Sequence, residues 1–210
     1  MEKATSAHPE RFPNEIIKLT ADISLEVYSG EGSLGLELVK VDRAGKSTRI
    51  NLNAFVSGFS ILPDSEGKFQ LNVNGRSIHC NFDAIGADPR EIFALLHEMG
   101  HVITLNKHGR LYEYFVMRNR GVRGAGREVA DERRAWAEAL CIARKLRDAG
   151  YDLFPLFESN EAIAHWLRSR DSLGSYEKAL EIAINETKGE SILGISVEHS
   201  HTPKKNKKYS

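Results

Sequence analysis

From Ile17 to Val27 the chain alternates strictly, with Ile17, Leu19, Ala21, Ile23, Leu25 and Val27 apolar and the residues between them polar or amphipathic. That is the period of a strand with one dry face. Residues 29–33, rich in Gly and Ser, turn the chain. A second strand is predicted over 34–41, a turn over 42–46, and a third alternating run through Ile50, Leu52, Ala54 and Val56. After a break at 63–67, Phe69, Leu71 and Val73 face Ile78, Cys80 and Phe82 across Asn74-Gly75, a strong hairpin signal. The first eighty-odd residues therefore read as an antiparallel meander.

From Asp88 onward the period changes. Ile92, Phe93, Leu95, Leu96, Met99, Val102 and Ile103 recur at helical spacing, after Asp88 as N-cap, Pro89 at the first helical position and Glu91 in the first turn. Gly109 offers a stop, which predicts a buried helix over 89–108. Residues 111–117 fit either a short strand or a helical turn, and 118–127, with four arginines among three glycines, reads as a loop that is either solvated or a lid over substrate. A second helix is predicted over 128–147, with Trp136, Leu140 and Ala143 inward and Gly150 past its end. Further amphipathic segments follow at 161–168 and 176–185, then a last strand at 191–197 and a disordered basic tail at 199–210. Strands before helices predict an α+β fold, a single domain over 1–198 that is mainly β to residue 85 and mainly α from 86.

Composition adds little to this. Lys+Arg and Asp+Glu both number 29, so net charge directs the chain to neither nucleic acid nor an anionic membrane. No run is long or apolar enough for a membrane span, and no apolar segment follows the first charges, so the expected location is the cytoplasm. Cys80 and Cys141 lack metal-ligand spacing and are expected as free thiols, Cys80 as a small core hydrophobe.

The chemistry lies on the first long helix. His97 and His101 are four residues apart, so both imidazoles leave one helical face close enough to grip one ion, and Glu98 stands beside the first. Glu98 lies about 100° round the helix from His97, poorly placed to share the ion but able to reach a water on it. Such a carboxylate can take the proton of the water and pass it to a leaving amine, which is metal-assisted peptide hydrolysis. Catalytic zinc takes three protein ligands, so a third is required. His108 would lie about 10 Å further along a continuous helix and is excluded. Acidic residues on the second helix are the better source. Glu132 falls among its inward positions, Glu128 stands one turn earlier, and Asp131, Glu138 and His165 remain as further candidates.

Leu96-His97-Glu98-Met99-Gly100-His101, followed by Glu132-Arg133-Arg134-Ala135-Trp136-Ala137-Glu138-Ala139-Leu140, resembles the gluzincin metallopeptidases and, within them, the ImmA/IrrE-type zinc peptidases of bacteria and phages. The resemblance spans 89–147 and differs where members often carry Glu-Ala-Asn, here Arg134-Ala135-Trp136. It implies Zn2+ held by His97, His101 and Glu132, Glu98 as general base, and a protein or peptide substrate. It also implies that substrate adds as a strand to the sheet edge preceding the active helix, the place 76–82 holds in sequence, where His79 would be surface or line the cleft. Two other functions fit the same residues: a non-catalytic zinc-binding interaction module, and a nucleic-acid-linked metalloprotease with His165 as a third histidine ligand.

Overall fold

The computed structural model describes residues 13–64, 66–118 and 125–169. The segments expected at 176–185 and 191–197 and the tail at 199–210 lie outside them. The fold is α+β. Four strands, β1 (Glu15–Lys18), β2 (Ile23–Tyr28), β3 (Gly35–Val41) and β4 (Ser47–Asn51), form an antiparallel sheet in sequence order. The run read as one strand from Ile17 to Val27 is two, because the chain reverses at 19–22, where Thr20 Oγ1 accepts from the Ile23 amide at 3.0 Å. Alternation does not register the reversal: Ile17 pairs opposite Leu25, so the apolar residues of both arms still share one face. That face continues through Leu38 to Ile50.

On the other face Glu26 lies opposite Glu37, a repulsive pairing on its own. Arg49 of the next strand resolves it, with Nη1 2.5 Å from Glu26 Oε2 and 3.1 Å from Glu37 Oε2. The Tyr28 hydroxyl donates to the same Glu26 oxygen. Burial, and then that hydrogen bond, push the Tyr28 phenol up to about 12.

The third alternating run ends early, since residues from Leu52 to Phe55 form a 3-10 turn capped by Asn51. Asn53 accepts from the Leu36 amide at 2.8 Å and donates to the Leu34 carbonyl at 2.8 Å, pinning this turn to the entry of β3. A second sheet holds β5 (Ser60–Pro63), β6 (Gln70–Asn72) and β7 (Ser77–Cys80) in the order β5-β7-β6. The Asn74-Gly75 hairpin joins β6 to β7, but β5 runs parallel to β7, so the meander expected across the first eighty residues stops at β4. Period-2 patterning specifies which face of a strand is dry and says nothing of which neighbour it takes.

Phe82, read as the end of a strand, instead opens a short helix, α1 (Phe82–Ala87), behind the Asn81 cap. Asp88 caps a 3-10 turn at Pro89–Glu91 that leads into α2 (Ile92–Arg118). Helix α2 continues through Gly109 and the ambiguous 111–117, ten residues past the expected stop at 108. One interior glycine costs only about 1 kcal/mol, which a long helix absorbs. Helix α3 (Ala125–Asp148) begins inside the segment expected as a loop and ends as expected, with Gly150 at φ 93° and the Tyr151 amide returning to the Leu146 carbonyl. Helix α4 (Asn160–Arg168) follows, capped by Ser159.

One apolar cluster joins the inner face of the first sheet (Leu25, Leu36, Leu38) to Ile61 and Ile78 of the second and to Phe93, Leu96 and Met99 of α2. Trp136, Ala139, Ile142 and Leu146 of α3 complete it, while Leu71 and Leu140, expected inside, are only partly covered.

Candidate metal centre

Nearly every residue in the first half of α2 is buried: Ile92, Phe93, Leu95, Leu96, Met99 and Val102 all fall at or below 1% exposure. This burial fixes the rotation of the helix, and so the direction of the two histidines. His97 is buried, His101 is half-buried, and Glu98 retains solvent access.

Helix α3 lies against this segment at unusually short range. A Cβ built on Gly100 would stand 2.1 Å from the Ala135 carbonyl oxygen, so the backbones touch where any other residue would hold them apart. Ala135, Ala139 and Ala143 continue the contact with small side chains, all of them buried. Further along, Lys107 of α2 forms an ion pair with Glu138 of α3.

The close approach delivers Glu132. Its Oε2 lies 2.9 Å from His97 Nε2, its Oε1 3.4 Å from His101 Nε2, and the two Nε2 atoms are 3.1 Å apart. Taking one ligand atom from each residue, the three lie within 4.8 Å of one another, close enough to share a single ion. Glu132 Oε2 lies close to His97 and is buried, with no hydrogen bond of good geometry to another group. Burial works to raise the Glu132 carboxyl, but the imidazoles of His101 and then His97 outweigh it and hold it at about 2. The group is a carboxylate at neutral pH, the form that binds metal. The residues present could therefore hold a divalent ion through two imidazole nitrogens and a carboxylate oxygen.

Among the described residues His97, His101 and Glu132 are the one group with three ligand atoms so close together. Glu138 is committed to Lys107, and His165 is exposed on α4 and apart from the group. The backbone of Glu128 and Asp131 belongs to α3, and their side chains lie outside the description. Glu98 does not join the three, and its charge is felt at the Cys80 thiol of β7, which burial pushes well above its ordinary value. Cys80 is free and fully buried, as its reading as a core hydrophobe requires.

The expected substrate edge needs correction. Strand β7 is the middle strand of its sheet, hydrogen-bonded on both sides, so an added strand cannot pair with it. The sheet's edges are β5 and β6. His79, on the face of β7 turned from the core, is partly covered, with Ser77 Oγ 3.3 Å from Nε2 and Asp64 3.8 Å from Nδ1.

Two contributors to the centre were not assigned a role in it from the sequence. Gly100 is legible afterwards as a glycine inside an apolar helix opposite an alanine stripe, the pattern of close helix contact. Trp136, read only as core, stacks on His97 with ring centroids 4.2 Å apart and planes 25° from parallel. Comparison of the chain with family models, with curated proteins and with solved structures found no match.

Proposed function

We propose that this chain is a zinc-dependent intracellular peptidase that hydrolyses a peptide bond in a protein or peptide substrate. The observation that carries the reading is the convergence of one ligand atom each from His97, His101 and Glu132 to within 4.8 Å of one another, with Glu98 one residue from the first. A zinc ion in that position supplies Lewis acidity toward a substrate carbonyl and toward water. His97 and His101, on a helix locked by its buried faces, and Glu132, seated by the Gly100 contact, hold the ligand set rigid. Glu98 is the proton carrier: it accepts the proton of the attacking water and returns it to the departing amine. Its partial exposure suits this, since it needs access to solvent and substrate that the buried ligand His97 does not. Of the two sheet edges, β6 packs against α2, which makes it the strand beside which an extended peptide would lie. Among the described residues no helix is long and apolar enough to cross a membrane, in keeping with action on a dissolved protein.

The test is peptide cleavage by the wild type and by Glu98→Gln across a library of unfolded protein substrates. Removing a general base should lower the rate by about 10²–10⁴ while leaving bound zinc unchanged. Equal cleavage by both proteins would remove Glu98 from the reaction, and no cleavage by the wild type on any member would leave a non-catalytic zinc-binding module.

A further inference from the structure

Metal-binding histidines ordinarily donate their second ring N–H to a carbonyl or carboxylate, which fixes the ring about a torsion that is otherwise soft. His97 lacks this restraint: its Nε2 faces Glu132 and His101, and its Nδ1 is buried with no hydrogen-bond partner. What lies against the ring is Trp136, stacked at 4.2 Å. We infer that Trp136 is a positioning residue of the metal centre, its indole face holding the His97 ring in the plane that aims Nε2 at the ion, in place of the missing hydrogen bond.

Three observations support the assignment. Trp136 lies four residues after Glu132, one turn along the same face of α3, so a single helix supplies both the third ligand and the restraint on the first. The indole is itself braced: Trp166 of α4 meets it edge-on at 6.3 Å, and Phe157 meets Trp166 at 5.6 Å. Phe93 of α2 closes the series at 5.3 Å from Phe157, so the ring pressing on His97 is backed by rings from three other segments. Finally, Trp136 Nε1 is buried without an acceptor. An unsatisfied indole N–H lowers stability, so the residue is not explained by hydrogen bonding. Its flat face is what the site uses.

This inference rests on the metal reading above, and its test separates the two. Zinc affinity of the full-length chain would be measured by chelator competition for wild type, Trp136→Leu, Trp136→Phe and Ile163→Ala, the last a buried residue of α4 whose loss destabilises the same region. The ring protons of His97, assigned by their disappearance in His97→Gln, would be followed by NMR in metal-free protein. Trp136→Leu should weaken zinc binding about 10- to 100-fold, the usual cost of removing a group that orients a ligand. It should also abolish an upfield ring-current shift at His97. Trp136→Phe retains an aromatic face, so its affinity should stay within about threefold of wild type, whatever its smaller ring costs in melting temperature. Ile163→Ala should lower the melting temperature and leave affinity within about threefold. Wild-type affinity in Trp136→Leu, or a tenfold loss in Trp136→Phe or Ile163→Ala, would overturn the assignment while the metal reading survives. A wild-type chain that takes up no zinc would refute both.

Discussion

Replacing Gly100 by alanine should damage the metal centre although the substituted position supplies no ligand. The added Cβ would stand 2.1 Å from the Ala135 carbonyl oxygen, 2.9 Å from its carbonyl carbon and 3.1 Å from its Cα. All three atoms are backbone, so no side chain can rotate away, and reaching the 3.0 Å below which real contacts are not found requires α2 and α3 to part by about 0.9 Å. Glu132 lies less than one turn before Ala135 and moves with it. Its separations from the imidazole nitrogens, now 2.9 and 3.4 Å, would widen toward about 4 Å, beyond the roughly 0.2 Å tolerance of a metal bond. Zinc affinity should fall by about 100-fold. Stability carries two opposed contributions: alanine is favoured over glycine inside a helix by about 1 kcal/mol, while overpacking costs about 1–3 kcal/mol. The expected net loss is up to about 2 kcal/mol in the metal-free protein, measured by denaturant unfolding beside a chelator competition for zinc. A Gly100→Ala protein that binds zinc as wild type and gains about 1 kcal/mol would show that the helices do not meet here.

Other positions give separate tests. Tyr28 is raised to about 12 from an ordinary 10, so its neutral form stabilises the fold fully below pH 10, and that contribution is lost as pH rises from 10 to 12. A spectrophotometric phenolate titration should show a late component that Tyr28→Phe removes; a wild-type curve without it would contradict the buried Glu26 contact. Glu138→Ala should leave zinc stoichiometry unchanged and shift stability by less than about 1 kcal/mol, since Lys107 is more than half exposed, and a loss of zinc would place Glu138 among the ligands. Asn53→Ala strips the Leu36 amide and Leu34 carbonyl of their partner, and thermal melts should register a loss of about 1–3 kcal/mol. An unchanged melting temperature would mean that water replaces the side chain there.

The parts of this molecule legible in the sequence are those governed by local periodicity. The α2 segment is announced by its apolar spacing and by the Asp88-Pro89 start, and Gly150 marks the end of α3 through a backbone conformation that glycine favours. The position of Glu132 on the side of α3 that meets His97 and His101 is likewise legible, because the inward face of a helix is a local property. What periodicity does not carry is the arrangement of elements in space. The reversal at 19–22 preserves alternation and so leaves no trace in it, and the central place of β7 depends on a parallel pairing with β5 that the Asn74-Gly75 hairpin does not foretell. Gly109 carries the composition of a helix stop, and it fails as one because neighbouring residues keep the helix favourable. Contacts between α2 and α3 were the least accessible: that Gly100 meets a backbone carbonyl and that Trp136 lies on His97 follow from how two helices pack.

The most direct measurement is the zinc content of purified protein, determined by elemental analysis after equilibration with excess ion and removal of the unbound fraction, for wild type, His97→Ala, His101→Ala, Glu132→Ala and Glu98→Gln. The geometry of the three convergent side chains predicts one zinc per chain in the wild type and in Glu98→Gln, and substoichiometric or no zinc in the other three. Full occupancy in Glu132→Ala, or loss of the ion in Glu98→Gln, would contradict it.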